Sequence, residues 1–185
     1  MIPKNTLLYL YRKYPNKEFS KFDIVSSVCT TFDEILENFD VEEDPFGLLW
    51  SVITRNPNIT VDFIFDNPQH NWDEACISNN INLRMKHIHE HPEIDWRWSH
   101  ISYNEGINMK DIEDNMDKPW KWDMVSCNPN LTFEFVVKHI DKEWNWKCIS
   151  FNRNITIKTI IYNPDYPWDF YKGIFIYFVY KNKIN

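Results

Sequence analysis

Tryptophan recurs in this chain at an interval of 24 residues, and this spacing constrains the fold more than any other feature. One group, the Trp72 column, consists of Trp72, Trp96, Trp120, Trp144 and Trp168. The remaining four form the Trp50 column at the same interval, with Glu74 in one place: Trp50, Trp98, Trp122 and Trp146. Self-similarity at a fixed period of about 20–50 residues is typical of tandem-repeat proteins. We therefore divide the chain into five units, 44–67, 68–91, 92–115, 116–139 and 140–163.

Two polar columns share the spacing. A hydroxyl column holds Thr54, Ser78, Ser102, Ser126 and Ser150. An amide column holds Asn56, Asn80, Asn104, Asn128 and Asn152. We predict that each amide binds loop backbone groups that a helix end leaves unpaired, and that each hydroxyl bonds to the i−4 carbonyl or packs against the next unit. The amide column and the Trp50 column are predicted to form the structural core of the repeats, with the Trp72 column nearer the surface.

The pattern within a unit predicts two short helices. Trp98 and Ile101 share one face of the first helix. The sequence Asn128-Pro129-Asn130 is typical of a turn, and Thr132 suits the N-cap of a second helix with an apolar stripe in 133–137. Two such helices cannot bury an apolar face alone, so neighbouring units must stack. The sequence therefore predicts an all-α helical-repeat solenoid of about five 24-residue units with divergent capping ends.

The ends of the chain depart from the repeat, as capping segments should. Residues 1–43 are predicted to form N-terminal capping helices with a degenerate repeat, in which Thr31 corresponds to Thr60. Residues 164–185 are predicted to form a truncated repeat and an aromatic C-terminal cap. The apolar run Gly173–Tyr180 is expected to cover the open end of the stack, and left exposed it would allow self-association through 171–185.

The repeat unit also resembles a known family. The pattern W-x-W-x-x-[IV]-S-x-N, clearest at Trp120–Asn128 and Trp144–Asn152, resembles tandem repeats in uncharacterised proteins of giant DNA viruses of the mimivirus kind. The resemblance covers about 44–170, and unit 68–91 departs from it at Glu74 and Arg84. It implies a viral source and supplies no activity, cofactor or catalytic residue.

Composition excludes several classes of function. The chain has 3 glycines and neither of the phosphate-binding patterns G-x-x-x-x-G-K and G-x-G-x-x-G. A net charge of −7 opposes a nucleic-acid backbone as the main partner. The sequence contains no stretch of 18 apolar residues, which a membrane-spanning helix would need. The first residues also lack the apolar core of a signal peptide. We therefore expect an intracellular protein, in the host cytoplasm or the virion.

Cysteine and histidine provide the remaining candidates for chemistry. The four cysteines, which include no C-x-x-C pair, are predicted to be small buried hydrophobic residues: Cys29, Cys76, Cys127 and Cys148. His87-x-His89-x-His91 has metal-like spacing, but His91 lies in the unit-ending column and is predicted to cap a helix. No metal, cofactor or catalytic residue is predicted, and the chain is expected not to be an enzyme.

Positions that vary between repeats are the predicted binding surface, because fixed columns maintain the fold. One variable column holds Arg55, Asn79, Tyr103, Cys127 and Phe151, and a second holds Phe63, His87, Asp111, Phe135 and Thr159. The column between the two tryptophans is also expected to face solvent: Asp73, Arg97, Lys121, Asn145 and Asp169. The candidate partner-binding residues are Arg55, Asn79, Arg97, Tyr103, Lys121 and Phe151.

These features predict a non-enzymatic repeat scaffold that binds a host or viral protein. Two alternatives remain from the sequence. One is a virion structural component that assembles through the C-terminal segment. The other is a repeat protein that binds RNA or single-stranded nucleic acid through its aromatic and asparagine columns.

Overall fold

A computed structural model describes residues 5–41 and 46–169 of the chain. These residues form thirteen short helices and no strand, which confirms the all-α class. In chain order the helices are α1 (Thr6–Lys13), α2 (Lys21–Ser26), α3 (Phe32–Asn38), α4 (Leu48–Thr54), α5 (Val61–Asp66), α6 (Glu74–Ile77), α7 (Met85–Glu90), α8 (Trp98–Tyr103), α9 (Met109–Asp114), α10 (Trp122–Val125), α11 (Phe133–Lys138), α12 (Trp146–Phe151) and α13 (Ile157–Tyr162).

The helices follow the sequence period closely. Helices α5, α7, α9, α11 and α13 begin 24 residues apart, and so do α6, α8, α10 and α12. Each of the five units therefore contains two helices, as the sequence predicts. The solenoid arrangement of these units remains a prediction.

Local capping explains where the second helices begin. Thr132 precedes α11, and its hydroxyl accepts a hydrogen bond from the Phe135 N–H, as predicted. Thr60 and Thr156 cap α5 and α13 in the same way. Thr31 caps α3 in a reciprocal capping box with Glu34, so this helix begins with the same chemistry as the second helices of the regular units.

The chain divides into two compact units, one up to Trp96 and one from Arg97 onward, so the division falls inside the third repeat. In the first unit, α2 and α6 both pack against α4, over buried apolar side chains that include Ile24, Ile53 and Ile77. In the second, α8 packs against α10, with Ile101 and Val125 fully buried.

The predicted order of burial of the two tryptophan columns is wrong. In the Trp72 column, Trp96, Trp120 and Trp168 are buried and the others are half-buried. In the Trp50 column only Trp50 is buried, while Trp98, Trp122 and Trp146 are half-buried.

Hydrogen bonding distinguishes the two columns. The indole N–H of each member of the Trp72 column donates to the carbonyl five residues earlier, at the end of the preceding second helix, over 2.7–2.8 Å. This bond connects the ring to the last residue of the preceding repeat. Rings of the Trp50 column instead meet the next repeat edge-to-face, as Trp98 does with Trp120 at 5.0 Å between centroids.

Part of the N- and C-terminal predictions lies outside the described residues. The aromatic run Gly173–Tyr180 and the self-association segment 171–185 belong to this part. Within 5–41 and 46–169, no helix combines the length and the apolar character that a membrane crossing requires.

Replacing Trp120 by alanine is expected to destabilise the protein by about 3–5 kcal/mol, because the change leaves a cavity and removes the hydrogen bond to the Asn115 carbonyl. The side chain of Trp120 is 6% exposed. Trp122→Ala is the matched control, since Trp122 is half-buried in the other column. Denaturant unfolding monitored by circular dichroism measures both variants. If Trp122→Ala lowers the free energy of unfolding by as much as Trp120→Ala or more, the assignment of the Trp72 column to the core is wrong.

Candidate functional site

The amide column connects consecutive repeats. In the first compact unit, the side-chain amide of Asn80 donates to the carbonyls of Thr54 at 2.7 Å and Ile59 at 2.8 Å, both in the preceding repeat. Its side-chain oxygen accepts the Asn82 N–H at 2.8 Å. Asn80 therefore joins two repeats and shapes its own turn with a single side chain.

The same connection occurs in the second unit. The Asn128 amide lies 3.0–3.1 Å from the carbonyls of Ser102, Asn104 and Ile107, and the side chain is fully buried. The Asn152 amide donates in turn to the Asn128 carbonyl at 2.7 Å. The acceptors are backbone carbonyls at helix ends and in turns, and all of them belong to the preceding repeat.

A second asparagine column provides further links that the sequence analysis missed. Its members lie two residues after the amide column: Asn58, Asn82, Asn130 and Asn154, with Gly106 at the remaining place. Asn130 donates to the carbonyls of Glu105 and Ile107 at 2.8 and 3.0 Å. The recurrence of N-x-N every 24 residues was the available signal.

The hydroxyl column makes a third kind of link. Ser126 donates to the Trp122 carbonyl at 2.8 Å within its own helix, and it accepts the Asn145 N–H of the next repeat at 2.8 Å. Thr54, Ser102 and Ser150 form the same pair of bonds. Each of these four hydroxyls thus both bonds to the i−4 carbonyl and binds the following repeat.

The first variable column lies between the hydroxyl and amide columns in the sequence, directly beside these links. Tyr103 lies between Ser102 and Asn104, whose carbonyls both bind Asn128, the residue that follows Cys127. Cys127 and Phe151 in turn line one open pocket. Tyr103 is 38% exposed and Phe151 is 36% exposed. We call Tyr103, Cys127 and Phe151 the variable edge.

The other candidate positions occupy two environments. Arg55 is exposed and Asn79 is half-buried, both in the first unit. The column between the tryptophans supplies the N-cap residues of the first helices. There Asn145 accepts the Cys148 N–H at 3.2 Å, whereas the exposed side chains of Arg97 and Lys121 make no capping bond.

The second variable column is not an exposed binding surface, in contrast to the prediction. It is the third position of the second helices, where His87 and Phe135 are buried and Phe63, Asp111 and Thr159 are half-buried. His87 Nδ1 accepts the Arg84 N–H at 3.0 Å, and Nε2 lies 3.2 Å from an Asp62 carboxylate oxygen. Both ring nitrogens are therefore engaged by protein groups.

Burial lowers the pKa of His87, and the Asp62 carboxylate opposes this effect only in part. The hydrogen bond to Arg84 requires an unprotonated Nδ1, so the folded state holds a neutral imidazole that donates from Nε2 to Asp62. Residues 5–41 and 46–169 contain no cluster of three side chains able to hold a metal ion.

The cysteine prediction is wrong. Cys29 and Cys127 are exposed, and Cys76 and Cys148 are half-buried. Cys127 and Cys148 form a disulfide between the fourth and fifth repeats, with their Cα atoms 5.1 Å apart. Cys127 belongs to the exposed variable edge, so its small apolar character did not lead to burial.

Comparison with known proteins gives no match. No family model matches the chain, no curated protein matches it, and no solved structure matches it.

Asn128→Ala is expected to destabilise the protein by about 3 kcal/mol or more, because three carbonyls of the preceding repeat lose a buried donor. Asn163→Ala is the control, since its amide donates to the Thr159 carbonyl of its own helix and its loss should cost about 1 kcal/mol. Urea unfolding measures the difference. Equal losses would show that the links between repeats add no stability.

Lowering the pH from about 7.5 to 5.5 is expected to decrease stability through His87. The folded-state pKa of His87 lies below the unfolded value of about 6.5, so the unfolded chain binds more protons as the pH falls through that value. At higher pH both states are neutral and the contribution vanishes. His87→Phe, which copies Phe63 and Phe135, should weaken this dependence. Thermal unfolding at several pH values tests it, and identical pH profiles for the two proteins would refute it.

Proposed function

We propose that this protein is a non-enzymatic repeat scaffold that binds a host or viral protein along the variable edge. One observation carries the proposal. The amide and hydroxyl columns on either side of Tyr103 and Cys127 are buried and bonded to neighbouring repeats, whereas Tyr103 and Cys127 themselves are exposed. Side chains at this edge thus vary without disturbing the links between repeats, which is the arrangement that repeat proteins use for recognition.

The chemistry of this edge suits a protein partner. Tyr103 and Phe151 offer aromatic surface, and the exposed cations Arg97 and Lys121 belong to the same compact unit. Aromatic and arginine side chains are enriched at the energetic centres of protein interfaces. We therefore expect a partner that presents apolar side chains flanked by carboxylates.

The nucleic-acid alternative receives less support. Stacking of bases needs exposed aromatic faces. In the Trp72 column the indole N–H groups bind protein carbonyls, and three of the five rings are buried. The net charge of −7 also repels a phosphate backbone.

The virion-assembly alternative depends on 171–185, outside the described residues, so the variable edge is the better-founded proposal. A viral source, with the protein in the host cytoplasm or the virion, is part of this proposal and rests on the sequence resemblance alone.

A photo-crosslinking residue in place of Tyr103 is expected to capture a defined protein in infected cells. The control places the same residue at Tyr162, which is 79% exposed at the end of α13. Mass spectrometry of the captured proteins compares the two positions. Capture of the same proteins from both positions argues against recognition by the variable edge.

With the captured partner in hand, the double variant Tyr103→Ser/Phe151→Ser should lose about tenfold or more in affinity with unchanged helical content, because two aromatic contacts are removed. Tyr162→Ser should bind as the parent chain does. Titration by calorimetry and circular dichroism measures binding and folding separately. Full affinity in the double variant would refute the proposed surface.

A further inference from the structure

The disulfide between Cys127 and Cys148 joins two consecutive repeats at the solvent-exposed edge. Cys127 follows α10, Cys148 lies in α12, and 21 residues separate them in the sequence. A Cα separation of 5.1 Å is within the ordinary range for disulfides, so the backbone already holds the two residues at bonding distance. The Asn152 amide, bound to the Asn128 carbonyl, fixes the same two repeats next to the cysteines.

The surroundings of the pair are open and cationic. Both cysteines line a surface pocket together with Lys147, Phe151 and Arg153, and no carboxylate residue is among its described lining residues. Salt bridges among the described residues involve neither Lys147 nor Arg153. A thiol in a cationic, accessible environment favours its thiolate, which is the reactive form.

We propose that Cys127 and Cys148 are a thiol–disulfide exchange site for small anionic thiols and disulfides of the glutathione class. A thiolate of this pair attacks the small disulfide, forms a mixed disulfide and releases one small thiolate. The thiolate of the second cysteine then attacks the Sγ atom of the first cysteine in this mixed disulfide. The attack forms the 127–148 bond and releases the other small thiolate. Two protein thiols are oxidised and one small disulfide is reduced to two thiols, and excess small thiol drives the same steps in reverse.

Each part of the pocket has a role in this exchange. Cys127, which lies in the more exposed position, is the sulfur that meets the small molecule first, and Cys148 resolves the mixed disulfide. Lys147 and Arg153 attract the carboxylates of glutathione. Oxidation cross-links the fourth and fifth repeats beside Phe151, whether or not this edge also binds a protein.

The full-length protein provides the first test. After equilibration with reduced and oxidised glutathione in varying ratio, free thiols are blocked with an alkylating reagent and the peptides are identified by mass spectrometry. We expect a reversible loss of alkylation at Cys127 and Cys148 together, with a linked 127–148 peptide, while Cys29 is not part of that link. A pair that stays reduced, or that never reopens in excess reduced glutathione, overturns the proposal.

Two variants identify the order of attack and the role of charge. In Cys148→Ser, Cys127 should form a mixed disulfide with glutathione faster than Cys29, the exposed internal control. Lys147→Glu/Arg153→Glu should slow oxidation by oxidised glutathione about tenfold, with little effect on oxidation by the neutral bis(2-hydroxyethyl) disulfide. An equal effect on both reagents, or reaction at Cys127 no faster than at Cys29, overturns the assigned roles.

Discussion

Backbone carbonyls at the ends of very short helices are the constraint on which this structure depends. An α-helix leaves its last four carbonyls without partners in the helix, and α10 has only four residues in all. Such a helix cannot satisfy its own backbone, and isolated helices of this length are unstable in water. The buried amides of Asn80 and Asn128 supply donors from the following repeat. At both places a repeat therefore completes the hydrogen bonding of the one before it.

The other links follow the same principle of completion by a neighbour. The hydroxyl of Ser126 accepts a backbone N–H from the next repeat, and Trp122 meets Trp144 edge-to-face across the same boundary. Trp120 acts across a shorter stretch of sequence, since its indole N–H donates to the carbonyl of Asn115 at the end of the preceding second helix. These bonds use only a few fixed side chains. The residues between them can therefore differ from repeat to repeat without loss of the links.

The variable edge is an example of positions that differ between repeats. Tyr103, Cys127 and Phe151 share one structural position, yet they differ in size and chemistry. The same edge combines aromatic surface for a partner with a pair of cysteines in a cationic pocket. Recognition and redox chemistry on this chain would thus occupy neighbouring parts of one surface, and both would exploit positions that the links between repeats leave open to variation.

The sequence by itself determined the period, the two-helix unit and the helix starts, since these depend on local signals such as the hydroxyl of Thr132 before an apolar stripe. The amide column was also recognisable from its spacing, although the identity of its partners was not. Only the tertiary structure decided that the Trp72 column is the more buried one, that His87 is buried and neutral, and that Cys127 meets Cys148. Burial and pairing depend on which side chains of a neighbouring repeat pack against a given position. The spacing of residues in the sequence does not contain that information.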